Sequence, residues 1–337
     1  MTGEERELER VLDKVEERLV DAPLGFHQCG APTGGDGLGA SALSNGAQML
    51  WRRWNGMELA NGEVCIFPVE QLDQETKSAL GAGLIRDGDV VIGARGADVV
   101  IVSYDPWEEG AEVLLVDDDG GRSPSNASVA SFVLAQFAEF SVLYDEEGEF
   151  QEGIFGDDGE LTSEARRRLL RRHLDFDSDA PLARLRLGQL LRDEDEVRAA
   201  RREFSQVLKR APNYAWAQFE EARAHLTLGE RDRAQVGFKR ALELEADEFL
   251  RVYFLAWSAR AADSADARAA FVAQVEAASP EFSANQHAAA REALEHGQRG
   301  RAAELIELGL CISPRSLGLL ELRGALDREV DDGATSG

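Results

Sequence analysis

The chain has 337 residues, 44% of them hydrophobic, with 63 Asp and Glu against 37 Lys and Arg and a formal net charge of −26. This length allows two domains with separate cores, while no apolar run reaches the roughly 18 residues that a membrane-spanning helix needs. Residues 1–20 do not have the basic and then apolar composition of a secretory signal, so we expect a cytoplasmic protein.

The negative charge lies almost entirely in the first half of the chain. Residues 1–160 hold 33 acidic and 10 basic residues, a net charge of −23, whereas residues 161–337 hold 30 acidic and 27 basic residues, a net charge of −3. A charge of this size repels nucleic-acid phosphates and anionic membranes and favours a basic protein partner. Solubility is the alternative explanation, because acidic runs are commonly solvated surface.

Sequence patterns in residues 1–150 predict an α+β domain. Apolar residues at spacings of three and four predict a helix over residues 3–20, residues 30–40 form a glycine-rich loop, and a second helix ends at Asn55-Gly56. Four strand-like runs follow, separated by Gly, Asp and Pro: residues 64–67, 89–93, 99–104 and 113–116. They predict an antiparallel meander, on which an apolar helix over residues 129–142 packs.

The order of these elements resembles the SUKH superfamily, which includes bacterial immunity proteins and a fungal cell-wall regulator. The resemblance covers residues 1–145. It is carried by residues 50–56 (LWRRWNG), Ile66-Phe67-Pro68 with Leu72 as a continuation of that strand, residues 88–93, 102–105 and 113–117, and the helix that contains Ser131-Phe132. The resemblance implies an α+β fold and an immunity function.

Residues 151–180 are predicted to be a linker that contains an arginine-rich helix. Its arginines are Arg166, Arg167, Arg168, Arg171 and Arg172. A nucleic-acid patch would need a longer basic stripe and stacking aromatic residues. We therefore favour a helix that docks on the acidic domain.

Residues 181–316 repeat with a period of 34 residues. Pro212, Pro280 and Pro314 end three repeats at this spacing or twice it, and Ala246 stands where the missing proline would be. The same phase is kept by Ala200, Ala234 and Ala302. A helix-turn-helix unit of this length buries its apolar face only by stacking on copies of itself, which predicts an all-α solenoid with a concave surface.

The repeats resemble the tetratricopeptide family position by position. Leu187-Gly188 matches the Leu-Gly pair of the first helix, where a small residue lets two helices touch, and Ala200 and Phe204 match the small and large residues of the second helix. The resemblance implies four repeats over residues 181–316. Residues 317–330 are then a capping helix and residues 331–337 a disordered tail.

In the tetratricopeptide family the first helix of each repeat lines a protein-binding groove. The corresponding residues are mostly aromatic or arginine, the types that often dominate interface energies. They are Trp216, Phe219, Arg223, Tyr253, Trp257, Arg260, His287 and Arg291. For Trp216 and Phe219 the alternative is helix-packing core, because they are in step with Ala222 and Leu226.

Three acidic clusters are candidate protein-binding residues of the first domain, because carboxylates accelerate the association of a basic partner. They are Trp107-Glu108-Glu109, Asp117-Asp118-Asp119 and Asp145-Glu146-Glu147. Solvated turns are the alternative, since acidic residues are common in turns.

No residue pattern predicts catalytic, metal or cofactor sites. His27 and Cys29 are two candidate ligands where zinc takes four, so a loop histidine beside a buried thiol is favoured. Residues 117–121 lack the glycine and glutamate of a calcium loop, which favours a hairpin turn. The odd number and wide spacing of Cys29, Cys65 and Cys311 predict ordinary buried thiols in a reducing compartment.

We therefore expect a non-enzymatic protein that binds protein partners, one of them basic, and binds no nucleic acid, membrane or cofactor. The SUKH resemblance implies an immunity protein whose acidic domain captures a basic toxin, such as a nuclease, while the solenoid binds a second protein or extends the interface. The alternative is a scaffold or regulatory adaptor that recruits partners through the repeat groove. Salt distinguishes the two, because capture by acidic residues weakens with added salt.

Overall fold

The computed structural model describes residues 3–23, 25–32, 43–156 and 158–334. An antiparallel sheet with helices comes first in the chain, and an all-helical repeat region follows it, as the sequence predicts. The described chain divides into two compact units: unit 1 comprises residues 1–191 and 202–214, and unit 2 comprises residues 192–201 and 215–337. The domain boundaries at residues 150 and 180 stay predictions.

Within the described residues, seven strands form one antiparallel sheet in which each strand pairs with its neighbours in sequence. They are β1 (Gln28–Cys29), β2 (Met57–Leu59), β3 (Val64–Ile66), β4 (Val90–Arg95), β5 (Asp98–Val102), β6 (Val113–Val116) and β7 (Arg122–Asn126). The helices around it are α1 (Gly3–Asp21), α2 (Asn45–Arg53), α3 (Val69–Gly81), α4 (Pro106–Glu109), α5 (Val129–Leu143) and α6 (Ser163–Phe176). The predicted meander is therefore confirmed.

The sequence prediction missed several of these elements and misplaced one residue. Leu72 does not continue a strand: Pro68 is the N-cap of α3, so Leu72 lies buried in that helix. Proline cannot donate to the sheet ladder, which ends the strand before it. Strand β7 was not predicted for the same reason, because its sequence contains Pro124. It is the last strand in the sheet order, where a proline is tolerated. Residues 33–40 of the glycine-rich loop lie outside the described residues.

Helix α5 is the centre of the unit 1 core. It is buried on nearly every side, and α1, α2 and α6 pack against it. A helix that is apolar all round has to be enclosed by other elements. Ser128 begins α5 with a capping box, in which its hydroxyl accepts the Ser131 N–H and Ser131 reaches back to the Ser128 N–H.

Helix α6 docks on α5, as expected, but not through its arginines. Its buried residues are Ala165, Leu170 and His173, whereas Arg166, Arg168 and Arg171 are exposed. The docked face is therefore apolar apart from the histidine.

A buried polar network joins α6 to α5 and the sheet. His173 Nδ1 lies 2.6 Å from Glu139 Oε1, and the Asn126 amide donates to Asp177 Oδ2 at 2.8 Å and lies 3.0 Å from His173 Nε2. Burial raises the pKa of Glu139, but attraction to Arg95 and the bond from His173 outweigh it, so this pKa lies below its usual range. The network keeps each of these buried groups paired, as burial requires.

The repeat region consists of helical hairpins followed by one further helix. Its helices are α7 (Pro181–Asp193), α8 (Val197–Arg210), α9 (Ala215–Thr227), α10 (Arg231–Leu244), α11 (Glu248–Ala261), α12 (Ala265–Ala278), α13 (Phe282–Glu295), α14 (Arg299–Ile312) and α15 (Leu317–Ala334). The second helices of the hairpins begin at residues 197, 231, 265 and 299, which is the 34-residue period. Helix α15 includes residues 331–334, which were predicted to be disordered; residues 335–337 lie outside the described residues.

Two expectations about single residues can be compared with the structure. His27 Nδ1 accepts the Ala60 N–H at 3.0 Å, and the imidazole ring packs against Phe137 at 4.8 Å between centroids. The cysteines are not buried as expected: Cys29 lies exposed on the edge strand β1, and Cys65 and Cys311 are half-buried.

The first hairpin depends on a glycine contact. A Cβ at Gly188 would lie 2.4 Å from the ring of the fully buried Phe204. Gly188→Ala should therefore lower the free energy of unfolding by about 1–3 kcal/mol, because the ring has no room to move. Gly300→Ala in α14 is the control, since a Cβ there meets nothing within 4 Å. Urea unfolding measures both variants, and equal stabilities would contradict the contact.

Burial lowers the pKa of His27 to about 4 from the ordinary 6.5. The unfolded chain then takes up a proton at a higher pH than the folded chain, so stability should be lost as the pH falls from 6.5 towards 4. Protonation also removes the acceptor for the Ala60 N–H. His27→Gln should flatten this part of the stability profile in urea unfolding; parallel profiles for wild type and variant would refute the assignment.

Candidate protein-binding site

The predicted groove residues of α9 and α11 form an aromatic cluster in unit 2. Phe219 stacks on Phe254 with 4.3 Å between ring centroids, and Trp257 lies edge-on to Phe219 at 6.1 Å. Phe219 is fully buried and Trp257 is 3% exposed, while Trp216 and Tyr253 are half-buried and pack on the same core. The core alternative therefore describes the position of Phe219.

Arg223 is buried within this cluster. Its guanidinium carbon lies 4.5 Å from the centroid of the Trp257 ring and 5.5 Å from that of Phe219, in cation–π geometry. The side chain is 5% exposed and forms ion pairs with Glu220 on α9 and Glu304 on α14. Burial lowers the pKa of Arg223, but attraction to Glu220 outweighs this effect, so the pKa is raised and the charge is kept.

Glu220 is itself buried and joins two arginines. Its carboxylate pairs with Arg192 as well as with Arg223. Arg192, Glu220, Arg223 and Glu304 thus form a chain of alternating charge, which we call the Arg223 network. Within the described residues, the Arg223 Nε atom has no hydrogen-bond partner although it is buried.

Helix α14 covers the cluster. Leu308 and Ile312 are buried in the same core as Phe219 and Trp257, and Glu304 reaches Arg223. Positions 304, 308 and 312 are four residues apart and share one helix face. The expectation that these residues line an open groove is therefore corrected: Phe219, Arg223 and Trp257 are buried, α14 packs against α11 and α12, and its Glu304 pairs with Arg223. Protein binding by these residues stays a prediction.

The other predicted groove residues differ in their distance from this cluster and in their exposure. Arg260 is half-buried, with its guanidinium carbon 5.0 Å from the Trp257 ring centroid. His287 on α13 packs at Gly318 of α15, where an added Cβ would lie 2.9 Å from its Nε2 atom. Arg291 is exposed and faces Glu295 at 3.7 Å.

The sequence of α14 contains a Leu-Gly pair that was not used in the sequence analysis. Leu308-Gly309 repeats the Leu187-Gly188 pair of a first helix, although the 34-residue phase makes α14 a second helix. A Cβ at Gly309 would lie 2.6 Å from Leu319 on α15, just as one at Gly188 would meet Phe204. Helix α14 packs most extensively against α13, as the second helix of its hairpin, and it also contacts α11, α12 and α15.

A second feature of unit 2 is an open cleft of about 650 Å³ between α9 and α10. Ala222 and Gly237 form its floor, where a Cβ added to Gly237 would lie 2.8 Å from the Ala222 side chain. The walls are polar side chains of both signs together with the exposed Val236. The cleft is balanced in charge, so it does not itself indicate the sign of a partner.

The acidic clusters in the turns are exposed. Asp117 Oδ1 accepts the N–H groups of Asp119 at 3.1 Å and Gly121 at 2.7 Å, which makes this segment the β6–β7 hairpin turn that was predicted. Asp145 Oδ1 accepts the N–H groups of Glu147 at 3.0 Å and Glu149 at 2.9 Å. Asp118, Asp119, Glu146 and Glu147 are likewise exposed. The turn explanation accounts for Asp117 and Asp145, and protein binding by both clusters stays a prediction.

The members of the third cluster, Trp107-Glu108-Glu109, differ in their surroundings. Trp107 on α4 is 90% exposed, and Tyr104 beside it is 77% exposed. Glu109 is not free: it pairs with Arg86 at 2.7 Å and with Arg122 at 3.0 Å, and the Glu108 side chain lies outside the described residues. Among the described side chains of this cluster, Trp107 is therefore the exposed one.

The segment that carries the two aromatic side chains is held by buried ion pairs. Asp89 accepts from Arg122 at 2.7 Å and from the Tyr104 N–H at 3.2 Å. The Tyr104 ring lies over Gly88, where an added Cβ would come within 2.8 Å of it. Burial lowers the pKa of Arg122, but the bonds to Asp89 and the attraction to Glu109 outweigh this effect, so the pKa is raised above its ordinary value. A fixed segment presents its side chains at little entropic cost on binding.

The described residues contain no group of three or more His, Cys, Asp or Glu placed to hold a metal ion. Over the same residues, no helix is both long and apolar enough to cross a membrane.

Comparisons with known proteins give likenesses to helical-repeat structures. No protein-family model and no curated protein sequence matches the chain. MamA is 16% identical with a TM-score of 0.34, over 45% of this chain and 90% of that one. YrrB, described as a tetratricopeptide repeat protein with an unusual peptide-binding site, is 19% identical with a TM-score of 0.33, over 48% and 84%. Yeast Tom70 is 14% identical with a TM-score of 0.34, over 58% and 39%.

Likenesses this distant carry no inference about the partner of this chain. The repeat architecture is instead established by the spacing and packing of the helices described above. The SUKH resemblance stays a prediction, since none of the three comparisons supports it.

Glu220 should be essential to the stability of unit 2. Glu220→Gln removes the carboxylate that Arg192 and Arg223 share. This loss should lower the free energy of unfolding by about 3 kcal/mol. Glu243→Gln is the control, because its pair with Arg240 at 3.4 Å is exposed and should contribute less than about 1 kcal/mol. Urea unfolding measures both, and a Glu220 variant as stable as the control would show that the network is not stabilising.

Proposed function

We propose that the protein is a non-enzymatic protein-binding adaptor that captures a basic partner through the exposed aromatic pair Tyr104 and Trp107. The observation that carries the proposal is the exposure of these two side chains on a segment held by buried ion pairs. Covering large aromatic side chains that are exposed to water is favourable for binding, because it removes their apolar surface from water. Trp and Tyr are accordingly enriched among the residues that dominate interfaces.

The basic character of the partner is inferred from charge. Residues 1–160 carry 33 acidic against 10 basic residues, and the turns at Asp118 and Glu146 are exposed. Such a surface raises the association rate of a basic protein. Lysine and arginine also bind to the face of a tryptophan ring. The repeat helices then provide an extended second surface, as expected of a scaffold.

An immunity function remains the narrower hypothesis within this proposal. It rests on the SUKH resemblance and the same negative charge, which suit capture of a basic toxin in the cytoplasm. The adaptor function is favoured because it rests on the exposed aromatic residues and on the repeat architecture without requiring that resemblance.

Trp107→Ala should weaken partner capture by about thirtyfold, ~2 kcal/mol, as expected for a central aromatic interface residue. The tagged full-length protein is used to capture partners from the native cell lysate, and the affinity of each identified partner is then measured with the purified chain. Phe249→Ala is the matched control, because Phe249 is 78% exposed but lies on α11 in unit 2.

Equal loss of affinity in both variants, or in neither, would contradict the role of Trp107. A further variant, Asp118→Lys with Asp119→Lys, leaves the Asp117 side-chain bonds of the turn in place. Loss of a basic toxin-like partner in this variant and at high salt would support immunity. Partners that persist at high salt and in this variant would show that the acidic turns do not contribute to capture, which would contradict the inference of a basic partner.

A further inference from the structure

The end of the chain forms a small assembly with its own core. Ala290 of α13, Ile306 and Leu310 of α14 and Leu319 of α15 make a cluster separate from the one that contains Phe219 and Trp257. The Ser283 hydroxyl donates to the Gly309 carbonyl at 3.1 Å, which joins α13 to α14. We call residues 282–334 the terminal segment. It retains internal contacts that do not depend on α9 or α11.

Helix α14 presents two different faces to these two clusters. Ile306 and Leu310 face the core of the terminal segment, whereas Glu304, Leu308 and Ile312 face the α9–α11 surface. The second face has a carboxylate followed by apolar residues four and eight positions later. It therefore occupies the surface as an amphipathic helix lies in a receptor groove.

The surface beneath α14 has the chemistry of a binding site for such a helix. Phe219 and Trp257 belong to one buried apolar cluster with Leu308 and Ile312. Arg223 provides the positive charge that meets Glu304, and its Nε atom remains without a partner within the described residues. The Arg223 network holds two arginines, so without Glu304 it lacks one carboxylate.

We propose that α14 is an internal occupant of a helix-binding surface and that a partner helix of the same pattern replaces it. The partner carries Asp or Glu followed by large aliphatic residues at the fourth and eighth positions after it. When the terminal segment moves away as a body, Ile306 and Leu310 stay covered while Phe219, Arg223 and Trp257 become available. This inference goes beyond the proposed function and does not depend on Tyr104 or Trp107.

Competition in trans tests the replacement. The probe is a fluorescent peptide of residues 299–312, added to the full-length chain and followed by fluorescence anisotropy. Glu304→Ala removes the carboxylate that holds the chain's own α14 at Arg223, so this variant should bind the probe at least tenfold more tightly than wild type. Glu307→Ala is the matched control, because Glu307 is half-exposed on the same helix and pairs with Arg323 at 3.7 Å instead.

The probe itself supplies a second control. A peptide with Glu304→Lys should bind none of the chains, because it would place a positive charge against Arg223. Equal binding of the probe to wild type, Glu304→Ala and Glu307→Ala, or no binding to any of them, would overturn the proposal. If Glu304→Ala instead forms a concentration-dependent dimer by light scattering, the occupant is a second copy of this chain, and the partner helix is rejected.

Hydrogen exchange on the full-length chain gives a measurement that does not need the probe. Amides of α14 should exchange through a partial opening, faster than those of α9 and α11. Glu304→Ala should accelerate α14 at least tenfold while leaving α9 unchanged. If α14 and α11 exchange at the same rate in wild type and in the variant, α14 is an integral part of the core and the proposal fails.

Discussion

The buried charge of Arg223 is the constraint on which the repeat region depends. An arginine that is 5% exposed needs carboxylates, and the chain supplies one from the same helix and one from α14, 81 residues later. An unpaired charge in that position would cost several kcal/mol, of the order of 3–5. Attraction to Arg223 therefore helps to position α14, and apolar burial of Leu308 and Ile312 adds to it. In this core Arg223 and Trp257 are buried, although the sequence predicted that they line an open groove.

In unit 1, buried ion pairs hold the segment whose side chains Tyr104 and Trp107 are exposed. Asp89, Arg122 and Glu109 pair beneath the segment that carries Tyr104 and Trp107, so two of the acidic residues of the first half serve as internal partners. The network of Glu139, His173, Asn126 and Asp177 lies between α5, α6 and β7. The first set of pairs lies beneath exposed side chains, whereas the second joins buried elements to one another.

Much of the fold was predictable because it depends on local patterns. The 34-residue period located the hairpins, and apolar runs separated by Gly, Asp and Pro located β3 to β6. Strands β1, β2 and β7 were missed since they are short or contain proline and form only by pairing with a neighbour. Of the candidate site, Phe219, Arg223 and Trp257 were predicted to line one groove, with core packing as the alternative for Phe219, whereas the burial of Arg223 and Trp257 was not predicted. That burial depends on Glu304, which no local pattern connects to Arg223.

By itself the sequence determined the charge imbalance between the two halves, the repeat period, and the pairing of small with large residues such as Gly188 with Phe204. These follow from composition and from spacings within one hairpin, which neighbouring residues fix. Only the tertiary structure decided that α14 packs against α11 and places Glu304 at Arg223, that Glu109 forms ion pairs and that Trp107 is left exposed. Each of these depends on contacts between residues far apart in sequence, whose energies no single segment contains.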